Sequence, residues 1–579
     1  MEYSKLVECY EKIDSTTKRL EKTEILANLI AECNKDEIDE IILLLQGKIF
    51  PEWDERKIGV AARTIIKAMS LSWGISIDKI EKEWKKTGDL GISAENLAKE
   101  KKQSTLFSSK LDVKKVFHNL SRLAEHEGQG TNNQKVQTIS ELLTSASPNE
   151  SRYIVRTILG ELRVGASQGT IRDSIISAYF SEIYNKRDNE MKEEYRRISE
   201  KVQNAYNLTN DFSEIIKKID AKGEEGFDEI DMTMFKPVNP MLFPKAKNIE
   251  DGFKVVGKPA IIEYKYDGFR VQIHKEKDKV QLFTRRLENV TKQFPDVVSV
   301  VQERVDAERC ILDSEILGID SKTKRMLPFQ NISQRIRRKH EIESAIKDIP
   351  VVVVVFDILK NEDNNMLEKE FESRRKTIER VVKEKKGVIE LSKSINSEDI
   401  EESNEFYQES LLLGHEGIMM KSLSREYRPG ARIGYAVKVK PVLEPLDLAI
   451  IGAEWGKGKR VGWLTSYTLA CTDDNNNFLE MGKVGTGVKE LETDGDAVTF
   501  GKLTEMLKPL IVDESNSSVS VKPEVIVEVD YEEIQKSENY RAGFALRFPR
   551  IKRIRTDLKE ASNLEDVKKI YNEQRGRGE

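Results

Sequence analysis

At 579 residues the chain is too long for one ordinary hydrophobic core, and its length suggests about three domains. Charged residues make up 34% and hydrophobic ones 38%, the balance of a soluble globular protein, while a formal net charge of -5 gives no chain-wide attraction to a polyanion. Any nucleic-acid surface must therefore be local. The four cysteines (Cys9, Cys33, Cys310 and Cys471) have neither metal-ligand spacing nor disulfide density, so a reducing, intracellular and cytoplasmic setting is expected. The amino-terminal stretch is charged from its second residue and lacks the apolar centre of a signal peptide. The longest purely apolar run, Val351 to Phe356, is too short to span a bilayer.

From Met1 to about Ile230 the pattern is helical: Leu6, Val7, Tyr10 and Ile13 recur at helical steps, as do Ile38, Ile41, Ile42 and Leu45. Within it, Arg152 to Ser167 carries glycines at 160 and 165 near a helix end. With Arg156, Arg163 and Ser167, Gly165 could hold phosphates without reading bases; the plainer reading is a helix stop with surface arginines. Lys101 to Phe107 places Leu106 and Phe107 in a polar stretch after Gln103, either as a docking plug or as core. Between Lys222 and Pro244, glycines 223 and 226 and prolines 237, 240 and 244 break the helical pattern and mark a linker. The expected partition is 1–232, 233–440 and 441–579.

In 233–440, β-like runs (Pro259–Tyr264, Arg270–Lys275, Val280–Thr284, Cys310–Leu317, Val351–Ile358) alternate with helical ones, including a charged helix over Glu368–Lys386. After Pro441 the runs Leu448–Trp455, Thr465–Cys471, Phe478–Val484 and Val525–Asp530 read as strands of a small β-barrel compatible with the OB fold. A charged helix is expected in Leu558–Arg577.

The chemistry concentrates in Glu263-Tyr-Lys265-Tyr-Asp267-Gly268-Phe-Arg270. On a strand, Glu263 and Lys265 share one face and Ile262 and Tyr264 the other. A lysine in a pocket beside other cations gives up its proton more readily and becomes a nucleophile. An isolated Lys-x-Asp-Gly is as well read as an edge strand with a solvated lysine; its weight comes from an ordered series of segments downstream. Arg285, in Phe283-Thr-Arg285-Arg286, could bind a phosphate or a ribose hydroxyl. Asp313 and Glu315 share a strand face and call for a cation, with Mg²⁺ suited to hard oxygens. Phe356 closes a valine run and taken alone is core. His415-Glu416-Gly417 precedes Tyr427-Arg-Pro-Gly-Ala-Arg432 and then Tyr435-Ala-Val-Lys438-Val-Lys440, where two lysines on one face need an anion. Arg547 to Arg555 has five basic residues in nine.

Lys265-Tyr-Asp-Gly-Phe-Arg270 and these later segments resemble, in order and spacing, the motifs of the covalent nucleotidyltransferases, specifically the ATP-dependent DNA ligases of the archaeal and eukaryotic replicative type. The resemblance covers the whole chain. It implies an all-α DNA-binding domain, an α+β adenylation domain and a C-terminal OB-fold β-barrel that swings about a hinge near Lys440–Pro445. It implies Lys265 as the catalytic residue; Glu263, Arg270, Arg285, Glu315, Phe356, Arg432, Lys438 and Lys440 as ATP-binding, with Phe356 stacked on adenine; and Glu315 and Glu416 as metal ligands. Arg547 and Arg550 would reach the leaving pyrophosphate, and Arg156, Arg163, Gly165 and Ser167 would contact DNA. Gln103, Leu106 and Phe107 are similar to the peptide by which archaeal ligases bind the sliding clamp PCNA, without a second aromatic. The implied partners are ATP, Mg²⁺, nicked duplex DNA and the clamp; a monomer is expected, working in replication, repair and recombination. An RNA ligase, a capping guanylyltransferase or an inactive clamp-associated DNA-binding protein are the rival readings.

Overall fold

The computed structural model describes every residue outside 102–109, 127–129, 186–188, 321, 323–325, 328, 339–341, 432–433, 442, 457–459, 491–497, 516, 559 and 575–579. The chain crosses repeatedly between two compact units. One comprises Met1–Leu242, Gly268–Leu391 and Ser424–Ile433, the other Phe243–Asp267, Ser392–Leu423 and Gly434–Glu579.

The first unit begins all-helical, from Tyr3–Asp14 to Phe212–Lys222. The periodic residues Leu6, Val7, Tyr10, Ile13, Ile38, Ile41, Ile42 and Leu45 all lie in one core, with Tyr153, Ile154 and Ile215 from helices far along the chain. Local sequence sets the helix ends: Ser147 and Glu150 form a reciprocal capping box with Pro148 in the first turn, and Ser167 caps Gln168–Tyr179. The same unit holds a largely antiparallel sheet in the order Lys279–Thr284, Phe269–Glu276, Arg309–Ile319, Val351–Asn361, Asn364–Asn365, with two further short strands off that path, one of them, Ile389–Leu391, parallel to Val351–Asn361. Its apolar face, including Val271, Ile273, Leu312, Ile316, Val353 and Val355, packs with Val297, Val301, Ile332 and Ile378 from helices Pro295–Arg304, Phe329–Arg337 and Phe371–Val381.

The second unit holds a five-stranded sheet in the order Lys245–Ala246, Ala436–Val439, Gly417–Ser422, Ala260–Lys265, Ser394–Ser397. Helices Ile249–Val256 and Ile400–Leu412 cover one face through Ile249, Phe253 and Phe406. Beyond residue 445 a β-rich module follows, with Leu446–Trp455 pairing with Leu464–Thr472, Ser518–Val521 and Ile526–Asp530 around a core that includes Leu448, Tyr467 and Val527. Strands Ile511–Ser515, Glu533–Lys536 and Arg550–Ile554 are additions to the sequence reading; their polar residues obscure the alternation. The charged tail is helical over Leu564–Glu573. Among the described residues no helix is long and apolar enough to cross a membrane, and all four cysteines are buried and free.

Candidate active site

In the five-stranded sheet, Ile262, Tyr264, Ile418, Met420, Val437 and Val439 point into the core. Pleating then sends Glu263, Lys265, Met419, Lys421 and Lys438 to the opposite face, in the register Glu263 with Met419 and Met419 with Lys438. Lys265 ends its strand, and its Nζ lies 2.6 Å from the Glu416 carboxylate, as does Nζ of Lys440. Glu416 is fixed from below by its own N–H, which donates to the Lys265 carbonyl at 2.8 Å. The next residue must be glycine: Gly417 has φ +135°, and a Cβ there would stand 2.2 Å from the Val439 carbonyl. Burial opposes the charge on Glu416, but the ammonium groups of Lys265 and Lys440 outweigh it and hold the carboxyl well below the usual range. Lys438 moves the other way, lowered first by burial and then by the ammonium groups of Lys440 and Lys265.

The β-rich module of the same unit contributes to this face. Arg547 Nη1 lies 3.5 Å from Asp267, 3.5 Å from Glu416 and 3.2 Å from Glu533. Its burial is outweighed by these carboxylates, which raise its pKa further. Lys440 also reaches Glu532 at 3.1 Å. Arg550, by contrast, is exposed and sits beside Asp530 in the ladder. The remaining basic residues of that stretch are paired within the module, Lys552 and Arg553 with Glu528 and Arg555 with Asp447, so the stripe is not a continuous cationic surface.

The other unit carries the second group of expected residues. Arg270 binds Asp313 through two hydrogen bonds of 2.8 and 2.5 Å and donates to the Met241 carbonyl at 2.8 Å and to the Tyr427 hydroxyl at 3.0 Å. Expected as an ATP ligand, it is instead engaged inside the protein: Asp313 is 1% exposed and needs that guanidinium. The Arg270 guanidinium also lies 5.5 Å from the centre of the Phe356 ring. Phe356 is half-buried, because the ladder passes from Asp313 opposite Asp357 to Ser314 opposite Val355 and skips it at a bulge. The valine run is buried over Val352–Val355 only. Glu315 is half-buried opposite Arg270 in the ladder. Arg285 is exposed and lines a cleft of about 900 Å³ with Lys48, Trp53 and Gln168.

The expected DNA contacts divide. Arg156 is 5% exposed and paired with Asp89 at 3.0 Å, so it is an internal tie with no face for a phosphate. Arg163 is half-exposed, at φ +58°, and shares Asp89 at 3.3 Å. Gly165 at φ +73° lets Lys22 approach within 2.8 Å of where a Cβ would stand, and Lys22 donates to the Val164 carbonyl at 3.0 Å. Ser167 accepts from the Thr170 N–H at the start of its helix, and Arg19 approaches Gly169. Lys22 and Arg19 come from more than 140 residues away, beyond the reach of local motif reading. Lys421, Asp267, Glu532 and Glu533 are likewise additions to the expected set of site residues. Gln103, Leu106, Phe107 and Arg432 lie outside the described residues.

Three family models match in chain order: a DNA ligase N terminus over residues 2–176, an ATP dependent DNA ligase domain over 240–440 and an ATP dependent DNA ligase C terminal region over 460–558. A DNA ligase of Nanoarchaeum equitans is 44% identical over 579 residues, covering 100% of this chain and 99% of its own. The chain belongs to the ATP-dependent DNA ligases. The DNA ligase of Methanopyrus kandleri is 39% identical over 578 residues, with 99% of each chain covered. The solved structure Pmar-Lig_PreS3 shares the fold at a TM-score of 0.54 and 16% identity, over 95% of this chain and 99% of its own. The ligase thus has a helical amino-terminal region, a central α+β adenylation region and a carboxy-terminal β-rich region. Nick sealing through an adenylate is the family's reaction, with ATP as the nucleotide.

Among its described residues no three or more acidic, histidine or cysteine side chains converge as a metal cage. Asp267, Glu416 and Glu533 nevertheless converge on one cation, the Arg547 guanidinium. Hard oxygens of this kind fit a Mg²⁺ ion that takes its remaining ligands from phosphates and water.

Proposed function

We propose that this ligase uses Lys265 as the nucleophile toward the α-phosphate of ATP. The observation that supports it is the polar sheet face on which Lys265, Lys438, Lys440 and Arg547 gather about Glu416. The neutral Lys265 amine forms a bond to the α-phosphorus, the bond to pyrophosphate breaks and the amine proton leaves to solvent. Lys438 and Lys440 bind the phosphate as charge develops on it, and Arg547 accompanies the departing pyrophosphate. A 5′-phosphate oxygen at the nick then takes AMP from Lys265, and the adjacent 3′-hydroxyl attacks that phosphate and releases AMP. Glu416 and Glu315 are each retained as a Mg²⁺ ligand, and the ion would neutralise phosphate charge.

On the other unit, Phe356 offers a ring face to adenine, Arg285 takes the ribose and later the nick phosphate, and Arg270 serves by fixing Phe356 and Asp313. Arg432 is retained as an ATP contact. Arg163, Gly165 and Ser167, joined by Lys22 and Arg19, hold backbone phosphates of duplex DNA at the helix start. The boundaries 1–232, 233–440 and 441–579, an OB barrel, a monomeric state, a cytoplasmic setting, docking of Gln103–Phe107 on the sliding clamp, and service in replication, repair and recombination complete the reading.

Incubation with Mg²⁺ and α-labelled ATP, with α-labelled GTP in parallel, tests it. Label from ATP alone, discharged by nicked duplex with a sealed product and lost in Lys265→Ala, is the expected result. Labelled Lys265→Ala protein would overturn the nucleophile, and label from GTP would move the case toward capping.

A further inference from the structure

In the first unit two guanidinium–carboxylate pairs, Arg270 with Asp313 and Arg374 with Asp357, meet at one side chain, Tyr427. Tyr427 is 2% exposed, and its hydroxyl donates to Asp313 at 2.9 Å while accepting from the Arg270 guanidinium at 3.0 Å and from the Met241 N–H at 3.1 Å. A tyrosine hydroxyl has one proton and two lone pairs, so its whole bonding capacity is spent inside the protein and it touches no substrate. Its ring lies 5.8 Å from the Arg374 guanidinium, which binds Asp357 through hydrogen bonds of 2.7 and 3.0 Å. Asp357 faces Asp313 across the ladder, immediately before the bulge that skips Phe356. Phe356 is thus bordered by both pairs: Asp357 follows it in the chain, and the Arg270 guanidinium lies 5.5 Å from the centre of its ring. Tyr427 is itself pinned by its backbone, whose N–H donates to the Leu367 carbonyl at 2.8 Å.

A guanidinium gripped by one carboxylate can still rock about that two-point contact, and further anchors remove the freedom. Arg270 has them in the Tyr427 hydroxyl and the Met241 carbonyl. A bulge re-aims the side chain it carries, so the plane of the Phe356 ring depends on the groups beside it, and stacking depends on that plane. We propose that Tyr427 is a positioning residue for nucleotide binding, its hydroxyl locking Arg270 and Asp313 and, through Arg270, the plane of the Phe356 ring on which the purine stacks. This rests on the reading that Phe356 is the platform for adenine. Tyr427 therefore governs affinity for the base and leaves the phosphates to other residues.

The test measures inhibition of protein adenylation by two probes in the full-length protein and its variants: adenosine, which has the base and no phosphate, and inorganic tripolyphosphate, which has phosphates and no base. Phe356→Leu is expected to weaken inhibition by adenosine about tenfold or more, the order that a base stacked on an aromatic ring contributes, and to leave tripolyphosphate within about twofold. Tyr427→Phe, which keeps a ring beside Arg374, is expected to weaken adenosine about fivefold with tripolyphosphate unmoved, and to raise KM for ATP more than it lowers kcat. Arg270→Lys, which keeps a cation for Asp313 but loses the planar fork, should repeat that pattern with Tyr427 in place. In a Phe356→Leu background, Tyr427→Phe should add nothing to the loss. Unchanged adenosine inhibition in Phe356→Leu would overturn the ring as the platform for adenine. Weaker adenosine inhibition in Phe356→Leu, with none in Tyr427→Phe and Arg270→Lys or with additive losses in the double variant, would overturn the role of Tyr427 alone. Equal losses for both probes in Tyr427→Phe, or loss of its fold, would make the hydroxyl part of the frame only and overturn that role as well.

Discussion

The two sheets use charge in opposite ways. Around Arg270 and Arg374 each guanidinium has one carboxylate of its own, Asp313 or Asp357, held by two hydrogen bonds and completed by backbone carbonyls. Around Glu416 the partners are shared: Lys265, Lys440 and Arg547 converge on one carboxylate, and Arg547 divides itself among three carboxylates at 3.2 to 3.5 Å. Private bidentate pairs define a frame, because losing either member leaves a buried charge. Shared contacts are exchangeable, since an arriving phosphate or metal ion can take any one place while the others remain. The difference separates what holds the molecule from what reacts.

Four changes probe that contrast. Arg270→Ala should leave Asp313 buried and uncompensated and cost about 3–5 kcal/mol, read as a lower urea midpoint; an unchanged midpoint would remove Arg270 from the frame. Arg547→Ala should instead leave the midpoint nearly unmoved and slow Lys265 adenylation on the order of a hundredfold, with sealing of pre-adenylated nicks much less affected. Equal loss in both steps would deny Arg547 a role tied to pyrophosphate.

The third change is of pH. His274 is fully buried, its Nδ1 accepting from the Phe235 N–H at 3.0 Å and its Nε2 lying 2.9 Å from the Gln272 amide oxygen, and burial pushes it down to about 3. The unfolded chain takes up the proton at about 6.5 and the folded one does not, so stability is lost as pH falls from about 6.5 toward 3. Between pH 6.5 and 5 this group should remove roughly 2 kcal/mol, a slope that His274→Gln should flatten. Smallest is Glu532→Gln, which releases Lys440 from a half-exposed partner: stability should change by less than about 1 kcal/mol. Small-angle scattering of that variant should report a more extended protein at low salt; an unchanged profile would show that this contact does not hold the β-rich module in place.

Much of the working face was legible because strand alternation and motif order are local. Ile262 and Tyr264 inward with Glu263 and Lys265 outward followed from a period of two, as did Lys438 and Lys440 on one face, whereas Glu416 was marked by the resemblance of its segment to a ligase motif. What escaped depends on contacts between distant segments. Arg156 looks like a surface arginine until Asp89, 67 residues away, is brought against it. Phe356 reads as core until a bulge opposite Asp313 and Ser314 turns it out of the ladder. Lys421 is one more residue of a strand until Glu263 is found beside it.

The most direct test of the reacting face is to digest the protein after incubation with Mg²⁺ and ATP and locate AMP by peptide mass spectrometry. AMP on Lys265 alone, absent after addition of nicked duplex, is the predicted result. AMP on Lys421, Lys438 or Lys440, or on Lys265 but retained in the presence of the nick, would contradict the assignment of this face to the chemistry.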